Sequence, residues 1–183
     1  MRILYTASEA LPYAASGGLA DVAGSLPAAL CKAGHDCRVV LPLYKSIKPE
    51  LRKDLRFLMN FTVDVGWRKQ YCGVFEGHAN NVTYYLLDNE YYYARDGLYG
   101  FYDDCERFVF LSRAVMELIR HIDWKPQIIN CNDWQTALVP VYYQTYYKYQ
   151  HGYEDIKTVF TIHNIQYQGK YGLDILEDTC GIG

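Results

Sequence analysis

No apolar run in this chain approaches the roughly 18 residues that cross a bilayer, which excludes a transmembrane helix. Neither sign of charge dominates: 18 Lys and Arg stand against 21 Asp and Glu in 183 residues, a formal net charge of −3. A nucleic-acid backbone or an anionic membrane surface selects a basic stripe, so neither is an expected partner. There is no C-x-x-C pair and no Cys/His cluster. The six cysteines (Cys31, Cys37, Cys72, Cys105, Cys131 and Cys180) are scattered, so a zinc site and a disulfide scaffold fall away. Their expected role is that of small, reduced packing residues. The opening apolar run, Ile3 to Ala7, is too short for a signal-peptide core, and the expectation is a cytoplasmic protein. Internal repeats, low-complexity tracts and linkers are also missing.

Half of the chain is hydrophobic and 21% is charged, a composition that builds one packed domain and not a disordered segment. The excess is in tyrosine, with 19 copies against 7 phenylalanines and 3 tryptophans. A tyrosine joins an apolar ring to a polar tip, which suits wet, half-buried surfaces and sugar contacts; the plainer reading is that tyrosine stands in for phenylalanine in the core.

The hydrophobic pattern reads as an α/β chain. Residues 3–7 form a short buried strand, residues 11–18 a turn-rich stretch, and Leu19, Val22, Leu26 and Leu30 mark a helix that stops at Gly34, with Pro27 inside it. Residues 37–41 form a second strand, which completes a βαβ unit. Strand-like segments at 61–65, 71–76 and 82–87 interrupt the alternation, with a hairpin turn expected over Gly77–Asn81. A helix is expected over 103–121, a strand over 127–131, and a further helix, capped by Asp133, over Ala137, Leu138, Val141 and Tyr142. A last strand covers 158–162. The expected fold is a Rossmann-like, mostly parallel sheet with helices on both faces and a β-hairpin insertion. A helical pattern begins at Asp174 and stops at Gly183, soon after a βα turn, which reads as a cut in a longer chain.

Ligands of an open parallel sheet collect at the carboxyl ends of its strands. Three turns there are polar or glycine-rich. Ala15-Ser16-Gly17-Gly18-Leu19-Ala20-Asp21 offers close backbone approach and helix-start N–H groups for a phosphate or sugar oxygen. It has neither the glycine spacing of dinucleotide sites nor the lysine of a P-loop, and taken alone it is equally a tight turn. Asn132-Asp133-Trp134-Gln135 and Thr161-Ile162-His163-Asn164 supply the other two. Asp133 could be only a cap and His163 only a satisfied structural residue. Together the three turns make a polar rim sized for a hydroxyl-rich ligand. No serine-hydrolase elbow and no zinc-peptidase motif is present.

Several segments carry a resemblance. Ser8-Glu9, Pro12 and the run Ser16 to Pro27 resemble the start of bacterial glycogen synthases and plant starch synthases, the ADP-glucose users of glycosyltransferase family 5. Asn132-Asp133-Trp134-Gln135-Thr136-Ala137, Thr161-Ile162-His163-Asn164-Ile165-Gln166-Tyr167-Gln168-Gly169 and Asp96-Gly97-Leu98-Tyr99-Gly100 are similar to later segments of that family, in the same order. The resemblance implies the N-terminal, acceptor-side half of a GT-B enzyme, with the donor-binding domain outside residues 1–183. It implies retaining transfer of glucose from ADP-glucose to the non-reducing end of an α-1,4-glucan such as glycogen, without a metal or other cofactor.

Carried over by position, the resemblance makes His163 and Asp133 catalytic. Ser16, Gly17, Gly18, Asp21 and Asn164 become donor or cleft residues, and Tyr99 belongs to the acceptor side. His163 then orients the sugar by hydrogen bonding and is no covalent nucleophile. Ala15 departs from the family, which usually has lysine there to meet the donor's charge. That departure, with the many tyrosines (Tyr91, Tyr92, Tyr93, Tyr142, Tyr143, Tyr146, Tyr147), leaves a non-catalytic glucan-binding module as the alternative. A nucleotide-binding sheet of unrelated function is the weaker third.

Overall fold

The computed structural model describes residues 1–183. The chain opens with β1 (Arg2–Thr6), α1 (Gly18–Lys32) and β2 (Asp36–Pro42), then a single turn of helix α2 (Pro49–Arg52). Three strands follow, β3 (Arg56–Val65), β4 (Arg68–Ala79) and β5 (Val82–Asp88), and another single turn, α3 (Glu90–Tyr93). The long helix α4 (Asp104–His121) leads to β6 (Ile128–Asn132). A 3-10 turn over Trp134–Thr136, α5 (Leu138–Tyr142) and a π-helical turn over Tyr143–Tyr147 precede β7 (Lys157–Thr161) and α6 (Ile175–Asp178).

All seven strands join one sheet in the order β3-β4-β5-β2-β1-β6-β7. β5, β2, β1, β6 and β7 pair in parallel, while β4 runs antiparallel to both of its neighbours, β5 and the edge strand β3. Strands covered on both faces must be apolar throughout, and Leu4, Val39, Val40, Leu41, Leu86, Leu87 and Ile129 are all fully buried. The crossover β1-α1-β2 moves toward β5, whereas β5-α4-β6 and β6-α5-β7 move the other way. Right-handed crossovers therefore put α1 on one face and α4 with α5 on the other. The expected Rossmann-like layering holds.

Three local expectations change. The β-hairpin insertion forms the antiparallel edge of the main sheet, and β3 and β4 begin at Arg56 and Arg68, well before the expected 61 and 71. The hairpin turn is only Asn80-Asn81, with φ of 52° and 62°, a two-residue turn whose twist matches its strands. Gly77 and His78 lie in β4, where a Cβ on Gly77 would sit 2.3 Å from the Tyr13 hydroxyl. The helix after β6 is broken into 3-10, α and π turns, with Pro140 inside it, and Asp133 does not cap it.

The tyrosine excess is mostly core. Tyr5, Tyr44, Tyr84, Tyr92, Tyr93, Tyr142, Tyr147 and Tyr153 are almost wholly buried. Where phenylalanine would only fill space, the hydroxyls of all of these but Tyr5, which has no partner, bond loops and helices to the elements they pack on. Tyr44 donates to the Ser8 carbonyl at 2.6 Å, Tyr84 to that of Leu11 at 3.2 Å, and Tyr142 to that of Cys180 at 2.7 Å. The cysteines are all unpaired, and burial pushes the Cys37 and Cys131 thiols up to about 12, which keeps them inert packing residues.

Arg107, fully buried on α4, organises the segment between β5 and α4. Its Nε donates to the Tyr92 carbonyl at 2.7 Å, and Nη1 to the Leu98 carbonyl at 2.9 Å and to Asp104 Oδ1 at 2.8 Å. The guanidinium also lies 4.8 Å from the Phe101 ring centre and 5.4 Å from that of Tyr93. Removing a buried partner of this kind strands the groups it satisfied. Arg107→Met is expected to lower stability by about 3–5 kcal/mol. Urea unfolding monitored by circular dichroism checks it, and an unchanged midpoint would contradict the role.

Candidate functional site

The carboxyl ends of β1, β6 and β7 lie side by side, since β1 pairs with β6 from Ile3–Ile128 to Thr6–Cys131, and β6 with β7 through Asn132–Thr161. The first side chains beyond those ends form the rim. Ser8 and Glu9 follow β1. Glu9 is a buried carboxylate, 3% exposed, and an isolated buried charge is costly unless donors surround it. The chain folds its glycine turn over it. Oε2 accepts from the Ser16 N–H at 2.9 Å, and Oε1 from the N–H of Gly17 at 3.1 Å and of Ala20 at 3.3 Å.

α1 begins at Gly17 as N-cap, which has no side chain to satisfy the helix-start amides. Glu9 does so from eight residues upstream. The N–H groups expected to be open to a ligand are therefore largely engaged, and those of Gly18 and Leu19 remain without a protein partner. Nothing in the chain comes within 4 Å of where a Cβ on Gly18 would sit, and Gly17 has an ordinary extended φ of −157°. Internal packing demands neither glycine.

Tyr99 joins the same group from the Arg107-held segment. Its hydroxyl lies 2.6 Å from Ser8 Oγ and donates to Glu9 Oε2 at 3.2 Å. Burial, and then the Glu9 charge, push its titration well above the ordinary tyrosine value. Tyr99 is thus held against the glycine turn. Asp21 stands exposed in the first turn of α1, with no hydrogen bond to the other predicted residues.

On the β6 side, Asn132 is buried. Its amide nitrogen donates to the Thr6 carbonyl at 2.9 Å and to Asn130 Oδ1 at 2.7 Å, and Asn130 in turn donates to Thr161 Oγ1 at 3.2 Å. The Asn132 oxygen can then only accept, and it lies 2.8 Å from His163 Nε2. The network thereby assigns the proton to Nε2 and leaves Nδ1, which has no protein partner, as the free polar atom of an exposed side chain.

Asp133 is not the helix cap it was expected to be. Its Oδ1 accepts from the backbone N–H of His163 at 2.7 Å and of Asn164 at 3.2 Å, so it pins the turn after β7 to the turn after β6. Thr136 ties the turn to the end of β6, its hydroxyl donating to the Asn132 carbonyl and accepting the Asn132 N–H. Asp133 adopts φ 59° and ψ −179°, a conformation that costs a non-glycine residue about 1–3 kcal/mol and clusters at functional sites. Beyond His163, the chain returns over the Trp134 indole. Gly169 sits at φ 57° against that ring, where a Cβ would come within 2.3 Å of Cε3. A shallow cavity of about 380 Å³ lies there, lined by Trp134, Gln166, Tyr167, Gln168, Gly169 and Lys170.

Of the predicted residues, Ser16, Gly17 and Tyr99 converge on Glu9, and Asp133, His163 and Asn164 converge on one turn. Glu9 and Asn132 were missed as site residues. A glycine-capped helix start needs an acceptor from elsewhere, and that need was the readable signal for Glu9. Of the tyrosines weighed for sugar, Tyr92, Tyr93, Tyr142, Tyr143 and Tyr147 are buried, while Tyr91 and Tyr146 are exposed. Ala15 is exposed beside the glycine turn.

The starch synthase catalytic domain family matches residues 2–183. A glycogen synthase of Clostridium botulinum (strain Alaska E43 / Type E3) is 53% identical over 182 residues, which are 99% of this chain and 38% of that protein. A glycogen synthase of Geobacillus stearothermophilus is 49% identical over 182 residues, covering 100% and 38%. Among solved structures, the catalytic domain of starch synthase IV from Arabidopsis thaliana, bound to ADP and acarbose, superposes with a TM-score of 0.89 at 31% identity, over 99% of this chain and 37% of that one. The chain thus spans under two fifths of the length of the relatives it matches.

Glu9→Gln is expected to destabilise the protein by about 1–3 kcal/mol, because the amide nitrogen turns a donor toward N–H groups that need an acceptor. Hydrogen exchange at Gly17 and Ala20 should accelerate more than exchange in β6. Equal protection in both forms would show that the carboxylate does not hold the turn.

Proposed function

The chain belongs to the starch synthase catalytic domain family, and from that premise we propose that residues 1–183 are the acceptor-side half of a GT-B glucosyltransferase. The reaction is transfer of glucose from ADP-glucose to the non-reducing end of an α-1,4-glucan, with retention at the anomeric carbon and no metal. A second, donor-binding domain completes the cleft, and the site of action is cytoplasmic. The observation that carries this reading is the bare glycine turn. Its two glycines are not required by packing, and two helix-start N–H groups beside open space fit a diphosphate oxygen.

Cleavage of the glucose–phosphate bond builds negative charge on the leaving diphosphate and positive charge on the ring. Preorganised amides stabilise the first without reorganising during the reaction. The Gly18 and Leu19 N–H groups do this, held in place by Glu9, while Ser16 and Asp21 flank them. His163, oriented through Nε2 by Asn132, presents Nδ1 to a sugar hydroxyl, and Asn164 shares the turn that Asp133 pins. Holding the sugar in one geometry lowers the barrier by removing orientational freedom beforehand. Tyr99 lies toward the acceptor. Ala15 favours the alternative of a non-catalytic glucan-binding module, since no lysine meets the diphosphate there.

The test is a chimera in which this chain replaces the matching 182-residue segment of the Clostridium botulinum relative. The chimera should incorporate glucose from ADP-glucose into glycogen; a folded but inactive chimera would favour the module. The 183-residue chain alone should show no turnover, because its rim residues face water and one wall cannot exclude it. In the chimera, His163→Ala should lower kcat on the order of 10²–10³-fold with little change in Tm, since the side chain is exposed and makes one hydrogen bond. A variant that keeps kcat but melts several degrees lower would make His163 structural.

A further inference from the structure

The segment after β7 is pinned at two ends, and the chemistry above uses only the first. Residues 162–174 are exposed apart from Gly169, while Thr179 and Cys180 are buried. At the near end Asp133 holds the N–H groups of His163 and Asn164. Farther on, Gly169 and Tyr171 rest against the Trp134 ring. At the far end the turn between β3 and β4 takes hold. Arg68 donates through Nη1 to the Asp178 carbonyl at 3.0 Å and through Nη2 to Asp178 Oδ2 at 3.2 Å. Trp67 Nε1 donates to Asp178 Oδ1 at 3.1 Å, and these bonds hold that carboxyl below its ordinary titration. Tyr142 and Tyr146 donate to the carbonyls of Cys180 and Gly181. Gly66 leaves the room for this docking, since a Cβ there would collide with the Asp178 carbonyl oxygen.

The same guanidinium also faces the segment that carries Tyr99. Arg68 Nε lies 3.2 Å from Glu106 Oε1, and Glu106 Oε2 accepts from the Tyr92 hydroxyl at 2.6 Å. Arg107, beside Glu106 on α4, holds the Tyr92 and Leu98 carbonyls, and Leu98 adjoins Tyr99. The Arg68 side chain is only 20% exposed. Its planar fork serves Glu106 and Asp178 together, which a single ammonium does not match. We propose that Arg68 is a positioning residue, which braces the far end of the His163 segment against the segment carrying Tyr99. The antiparallel edge of the sheet then helps to set the shape of the rim, acting wholly through other residues. The inference rests on the reading of this rim as the transfer site. An exposed segment with few buried side chains samples many arrangements unless its ends are fixed. Freed at one end, the rim is competent for only part of the time, and apparent affinity for a ligand falls by that fraction. Loss of the brace therefore raises KM and leaves the chemistry of the assembled complex unchanged.

Arg68→Met and Gly66→Ala test this by different routes, the first removing the bonds and the second displacing Asp178 by contact. In the 183-residue chain the N–H groups of Thr179, Cys180 and Ile182 bond back to Ile175 and Leu176. Both variants should speed hydrogen exchange there about tenfold, with exchange in β1 and β6 within about twofold of wild type. In the chimera both should raise KM for ADP-glucose about tenfold and leave kcat within about twofold, with Arg68→Lys falling between. Unchanged exchange at residues 179–182 in both variants would overturn the brace. Faster exchange with an unchanged KM, or a lower kcat at an unchanged KM, would reduce Arg68 to a structural residue and overturn its positioning role. A folded but inactive parent chimera would remove the transfer reading, and the positioning role with it. The exchange measurement would still decide whether the clamp on Asp178 exists.

Discussion

A carboxylate taken out of water has to be surrounded by donors, and Glu9 is the point at which that requirement shapes this molecule. Three N–H groups of the glycine turn and the Tyr99 hydroxyl supply them. To do so the turn must curl back over β1, α1 must start at Gly17, and the segment before α4 must bring Tyr99 to the end of the first strand. Tyr44, fully buried, holds the adjoining Ser8 carbonyl, so the base of the turn is fixed from below as well. The same charge sits at the positive end of α1, where the helix dipole favours it. A turn held in this way can offer its remaining N–H groups to a ligand without first paying to become ordered.

The other half of the rim is set by the register of the parallel strands. Thr6, Asn130, Asn132 and Thr161 fall at neighbouring strand ends, and two amides, those of Asn132 and Asn130, link three of the strand termini to His163. Such a network leaves few alternative arrangements, because each donor and acceptor is already committed. Asp133 is the cost of that order. Its backbone occupies a region where glycine is the usual residue, and it stays there because its carboxylate gains two N–H partners across the rim.

Away from the rim, buried tyrosine and Arg107 do what a purely apolar core could not. Tyr84, Tyr142 and Tyr153 hold loop or helix carbonyls, and Arg107 holds two more. The loops that carry the site are thus bonded to the sheet layers and do not rely on surface ion pairs, which contribute little. Arg95 extends the same device outward, from the Arg107-supported Phe101 to the exposed Tyr91.

The alternation of strands and helices, the ends of α1 and α4, and the three polar turns could be read from residue order alone, since each follows from short-range periodicity and from turn chemistry. Resemblance of ordered segments pointed to the family for the same reason: it too lies along the chain. The lengths of β3 and β4 were not readable in this way, because their half-exposed outer residues give no clear alternation, and only pairing across the sheet extends them. Nor was the true work of Asp133 visible. A carboxylate before a helix reads as a cap, and only the neighbouring turn, 30 residues away in sequence, could claim it. Tyrosine count alone could not separate core from surface either. Burying Tyr92 and Tyr93 while leaving Tyr91 and Tyr102 in water was decided by packing against Phe110 and α4, contacts that exist only once distant segments meet.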